Sequence, residues 1–82
     1  MIGIDETIKI VNREYRDRIV KSIFVYGDNY LVYAPDKRLA GEDYSDPYFT
    51  VDRKSGEVRH FLPTRDISGF SRALRNGTIY KR

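Results

Sequence analysis

Ile4, Ile8, Val11 and Tyr15 fall at i, i+4, i+7 and i+11, which gathers them on one face of a helix. Asp5 and Glu6 stand where carboxylates favour a helix N-terminus, and Asp5 can cap it. Arg16 and Arg18 suit the opposite end, so the spacing predicts a helix from Asp5 to Arg16.

The pattern then changes period. Ile19 to Tyr26 is rich in β-branched and aromatic residues with apolar groups on both parities, as expected of an inner strand covered at least partly on both faces. Gly27-Asp28-Asn29 supplies a turn, and Tyr30 to Ala34 continues as a second strand. From Pro35 to Pro47 runs a polar excursion, the longest irregular segment and the expected mobile loop. Tyr48 to Asp52 and Glu57 to Leu62 read as a second hairpin around Arg53-Lys54-Ser55-Gly56, where glycine tolerates φ > 0. In the predicted register Val51 faces Val58 and Phe49 faces His60, while Thr50 with Arg59 and Tyr48 with Phe61 lie on the other side.

Pro63 stops the strand, and Thr64 or Asp66 caps a second helix with Ile67, Phe70 and Leu74 as its buried stripe and Ala73 beside it. Gly69 inside that helix costs up to about 1 kcal/mol relative to alanine, a cost that close packing would offset. Asn76-Gly77 is the stop, after which Ile79 and Tyr80 are expected to fold back on the core. The fold class is therefore α+β in a single domain over residues 1–82: helix, a four-stranded antiparallel sheet of two hairpins, helix. Both helices are expected to shield one flank of the sheet and leave the other open.

Composition narrows the setting. With no cysteine, neither disulfides nor thiolates reinforce so short a chain, which fits a reducing compartment. The start MIGIDETIKI lacks a signal peptide's basic and apolar regions, and no run approaches the roughly 18 apolar residues of a membrane helix. The expectation is a soluble, intracellular protein with no membrane partner. Net charge is +3, but acids and bases are interspersed. Arg13 with Asp17 and Glu14 with Arg18 have the i,i+4 spacing of helical ion pairs. Arg72, Arg75, Lys81 and Arg82 form the best candidate for an uncompensated cluster.

Little here suggests catalysis. His60 is the sole histidine, so no histidine pair or Ser/His couple can be assembled, and opposite Phe49 it reads as a rim or satisfied core residue. Glu42, Asp43 and Asp46 could approach a divalent cation, yet they lack the alternating ladder and distal glutamate of a calcium loop and read as a solvated loop. The glycines stand singly, without a phosphate-binding motif. No catalytic residue, metal or cofactor is assigned.

Seven tyrosines and four phenylalanines are a heavy load for 82 residues. Phe24, Phe49 and Phe70 read as core. Tyr26, Tyr30, Tyr33, Tyr48 and Phe61 are candidates for an outward sheet face near Arg59 and Lys21. Single-stranded nucleic acid stacks on such surfaces, and protein interfaces enrich the same residue types. Tyrosines also lie along half-wet sheets with no partner at all. Interspersed acids and the missing RNA-binding sheet motif favour a protein partner over nucleic acid.

The run Asp46-Pro47-Tyr48-Phe49, then Val51-Asp52-Arg53-Lys54-Ser55-Gly56-Glu57-Val58, then Phe61 and Pro63, resembles small proteins encoded in phage and prophage gene clusters. It is similar also to small single-domain bacterial immunity proteins. The resemblance implies a non-catalytic protein that docks to another protein or to copies of itself, as a virion or assembly component. The alternatives are an inhibitor of a bacterial nuclease or defence protein, working through Glu42, Asp43 and Asp46, and a nucleic-acid-binding domain.

Overall fold

A computed structural model of the chain describes residues 1–36 and 47–82. In chain order its elements are α1 (Ile4–Glu14), β1 (Ser22–Tyr26), β2 (Asn29–Tyr33), β3 (Tyr48–Asp52), β4 (Val58–His60), a 3₁₀ turn (Pro63–Arg65), α2 (Ile67–Asn76) and β5 (Tyr80–Lys81). Among the described residues the strands form one antiparallel sheet in the order β4-β3-β2-β1-β5.

The two hairpins follow from their turn residues. Tyr26 pairs with Asn29 across Gly27 and Asp28, and Gly27 has φ of +59°, as a two-residue hairpin with glycine first requires. In the second hairpin Asp52 Oδ1 accepts from Lys54 N at 2.8 Å and Ser55 N at 3.0 Å, and Gly56 completes the loop at φ +79°. The register is the predicted one: Phe49 opposite His60, Thr50 opposite Arg59, Val51 opposite Val58. β4 is shorter than Glu57 to Leu62, although Phe61 N still donates to Tyr48 O at 3.0 Å. β1 starts at Ser22, three residues later than Ile19, while the chain before it still bonds to the next strand through Lys21 N to Tyr33 O at 2.9 Å.

The C-terminal return adds a fifth strand to the four expected. Ile79 N donates to Ile23 O at 2.8 Å and Arg82 N to Lys21 O at 2.9 Å, with Tyr80 opposite Ile23 and Lys81 opposite Ser22. Two residues carry too little alternation to announce a strand.

The helices take opposite faces of the sheet, which corrects the expectation that both cover one flank. Val11, with Ile4 and Ile8 beside it, packs α1 onto Ile23, Val32, Phe49 and Val51. Ala73 and Phe70 of α2 pack onto Phe24, Leu31 and Phe61, the residues of opposite parity. Ile23, Leu31, Val32, Phe49 and Val51 are fully buried, so a layer of core lies on each side of the strands. α2 makes the crossover from edge strand β4 to edge strand β5, over the face that α1 leaves uncovered.

Helix ends differ in detail. Gly3, not Asp5, occupies the N-cap of α1, and Thr7 Oγ1 donates back to Gly3 O at 2.8 Å. α1 ends at Glu14, so Glu14 and Arg18 do not share a helix. Arg18 is instead buried, in an antiparallel bridge with Asp36. Asp66 caps α2, with Thr64 left in the 3₁₀ turn. No described helix is long and apolar enough to cross a membrane.

Candidate functional site

On the α2 face the side chains of Tyr26, Phe61, Phe70, Tyr48 and Tyr33 form a continuous ladder of rings. Successive centroids are 5.1 Å (Tyr26 to Phe61), 6.0 Å (Phe61 to Phe70), 5.0 Å (Phe70 to Tyr48) and 5.1 Å (Tyr48 to Tyr33) apart. Strand parity puts Tyr26, Tyr33 and Tyr48 on this face, and α2 supplies Phe70. Edge-to-face contacts at Tyr26–Phe61 and Tyr48–Phe70 are the favoured geometry for such quadrupoles. Burial, and then the neighbouring Tyr33, raise the Tyr48 hydroxyl above its ordinary pKa.

Four of the five sequence-predicted aromatic candidates are thus brought together, but their face is not open. α2 lies over it and buries Phe61 to 9% exposure, while Tyr26, Tyr33 and Tyr48 remain half-buried. Tyr30 is the exception. It opposes Val25 and Val51, points to the α1 face, is buried, and donates its hydroxyl to Ile2 O at 2.8 Å. Arg53 lies over its ring at 5.4 Å. Tyr30 is therefore a core tyrosine with a satisfied hydroxyl, on the face away from the other four.

Arg59 shares the α2 face and is exposed beyond the helix. Its Nε and Nη2 reach Glu57 Oε1 at 3.0 and 2.9 Å, a surface pair of the kind worth little. With Asn29, Thr50 and Asp52 the two line a polar shelf of about 260 Å³. Glu42, Asp43 and Asp46 lie outside the described residues. Lys21 is exposed just ahead of β1.

The flanks of α2 are unlike each other. One flank, with Gly69, Arg72 and Asn76, borders the β1–β2 turn across a groove of about 450 Å³. There the Tyr26 hydroxyl donates to Asp66 Oδ2, and Asp66 Oδ1 accepts from Gly69 N at 3.0 Å. The Tyr26 bond, then the Gly69 N–H, hold the Asp66 carboxyl below its usual range, and Asp66 in turn raises Tyr26.

The opposite flank carries Ile67 and Leu74, one heptad apart, with Phe70 turned inward between them onto Tyr48. Ile67 is 64% exposed and Leu74 37%, so the predicted stripe of Ile67, Phe70 and Leu74 is not the buried one. Ala73 is, because the helix is rolled toward the β1–β2 turn.

Of the two positions expected for His60, rim or core, it takes the rim. It is exposed on the α1 face, 4.8 Å from the Phe49 ring and 5.4 Å from Tyr15, while Arg18 covers Phe49 at 5.4 Å. Among the described residues no three His, Cys, Asp or Glu side chains gather to hold a metal ion. The C-terminal basic set is split: Arg72 lines the groove beside α2, and Arg82 crosses to a cleft under α1.

Comparison with known proteins adds no relative: no family model, no curated protein and no solved structure matches this chain. The site rests on its own geometry. It offers exposed aliphatic side chains on a helix flank, and half-buried rings packed under the helix.

Proposed function

We propose that the chain is a non-catalytic protein-interaction module that docks through the step formed by Ile67 and Leu74 of α2 beside Tyr33 and Tyr48. The observation that carries this reading is the exposure of two large aliphatic side chains, Ile67 and Leu74, on the helix flank whose Phe70 packs on Tyr48, itself against Tyr33. The phage resemblance of the β3–β4 hairpin makes a virion or assembly component, in a host cell or a phage particle, the specific form of the proposal. A standard interface takes about 800 Å² from each partner, a large share of so small a surface.

Light scattering of the chromatographed protein at rising concentration is the test. Self-association, or a stable complex with a phage structural protein, supports the reading if Ile67→Ser with Leu74→Ser abolishes it and leaves the melting temperature unchanged. A monomer at every concentration that captures no structural protein overturns it, as does association indifferent to the double substitution.

A further inference from the structure

Arg53 Nε is buried and has no hydrogen-bond partner among the described residues. Its neighbour on the guanidinium fork, Nη2, donates to Met1 Sδ at 3.2 Å. A thioether is a weak acceptor, so this fork is poorly satisfied, although its charge rests over the Tyr30 ring. The same molecule shows what such a fork takes elsewhere. Arg59 Nε and Nη2 converge on one oxygen, Glu57 Oε1, at 3.0 and 2.9 Å. Arg53 has a sulfur where Arg59 has that oxygen.

Met1 is tied to the fold through the residue after it. Ile2 N donates to Arg53 O at 2.8 Å, and Ile2 O accepts from the Tyr30 hydroxyl at 2.8 Å. This seam holds the segment ahead of α1 against the turn between β3 and β4. Met1 itself is 83% exposed, so an oxidant reaches its sulfur without any unfolding. It is the sole methionine and the chain has no cysteine, so the sulfur chemistry of the protein is confined to this one atom.

We infer that Met1 is an oxidation site whose sulfoxide oxygen is taken by the Arg53 fork, so that a peroxide tightens the seam ahead of α1. The sulfur lone pair forms the new S–O bond as the O–O bond of hydrogen peroxide breaks. The delivered oxygen passes its proton to the departing one, which leaves as water. Sulfur loses two electrons and the peroxide gains them. The oxygen then stands one bond from a sulfur that Nη2 already contacts, and it accepts from a charged donor far better than the thioether does. Methionine oxidation usually loosens a protein because it places a polar group in apolar packing. At an exposed position beside an unpartnered Nε it supplies a missing acceptor instead. The site lies by Tyr30 on the α1 face and does not depend on the docking surface beside α2.

The test compares the whole ¹⁵N-labelled chain before and after hydrogen peroxide, with conversion followed as the gain of a single oxygen in mass. After oxidation the Arg53 Nε–H resonance should move while that of Arg59 stays in place. Exchange of the Ile2 amide with water, read by saturation transfer, should slow by about fivefold or more, the size that one added hydrogen bond gives. Arg53→Lys keeps the charge and removes the fork, so oxidation of that variant should leave its Ile2 exchange rate unchanged. Each variant is compared with its own reduced form, so any loss of stability from the substitution itself cancels. An Ile2 amide that exchanges equally fast or faster after oxidation overturns the inference, as does an Arg53 Nε–H that does not move. The same slowing in Arg53→Lys also overturns it, because the oxygen would then act through some other group.

Discussion

At Gly69 a side chain would compete for space with the carboxylate that caps its helix, which must swing away to admit one. A Cβ placed there would overlap Asp66 Oδ2. Alanine in a helix interior ordinarily gains about 1 kcal/mol over glycine. Gly69→Ala should instead lower the melting temperature or leave it unchanged, because it displaces the cap and its bond to Tyr26. A clear rise in thermal stability would refute this account. The same carboxylate makes a pH-dependent link. Asp66 is held below its ordinary value of 3.8, so its stabilisation is present above 3.8 and lost as pH falls through the depressed value. Tyr26 is raised above 10.0, so its share is present below 10.0 and lost as pH climbs through the raised value. In Tyr26→Phe, the Asp66 midpoint followed by carboxyl NMR should move up toward the ordinary value but stay under it, since the Gly69 N–H remains. An unmoved midpoint would remove Tyr26 as the main cause. Phe49 sits at the other extreme of exposure, fully buried between Tyr15, His60 and Arg18. Phe49→Ala should cost about 3–5 kcal/mol, enough to lower Tm by about 15 °C or more in a chain of this size, measured by calorimetry. At this scale the sequence was most readable where one residue type answers one backbone demand, as at Gly56. It was least readable where a polar group is claimed by a distant element: nothing near Arg18 in the chain announces Ala34 or Phe49.

Elements were legible in kind more than in placement. Periodicity identified both helices and four strands, and the β3–β4 register followed from pairing Val51 with Val58. An amphipathic stripe says that a helix has an apolar side, but it does not say which face of a sheet receives it. The signal that both faces are covered was present in β1, where adjacent Ile23 and Phe24 are both buried, on opposite parities. The crossover length settles the rest: a chain leaving edge strand β4 for the far edge beside β1 must traverse a face, and α1 already occupies the other. Gly56 shows how tightly elements are fitted. At φ +79° a side chain is strained by about 1–2 kcal/mol, and a Cβ would stand 3.1 Å from Ile10 Cδ1 of α1. Gly56→Ala should therefore destabilise by at least about 1 kcal/mol in urea unfolding. No change in the denaturation midpoint would mean that the turn can re-form.

The whole molecule is a sheet with short, charged margins. β4 has three residues and β5 two, with Arg59 and His60 on one and Lys81 on the other, and such edges discourage strand-to-strand addition. Association, in the reading proposed above, proceeds through a helix flank instead. Amide exchange should reflect the layering: amides of β2, which is flanked by β1 and β3 and covered on both faces, should exchange slowest, and those of Ile79 and Arg82 fastest among strand hydrogen bonds. Equal protection at the centre and the margin would contradict it. The candidate docking surface was only partly visible beforehand. Its two rings, Tyr33 and Tyr48, could be named from alternation, but Ile67 and Leu74 look like core until the roll of α2 is known. The crossover that ties the two margins together also sets how the fold yields to tension. A pull outward at residue 82 unzips a two-rung seam one rung at a time, and the freed tail then drags α2 like a hinge cover off Phe24 and Leu31. The molecule should give way gently from that corner while its central strands still hold.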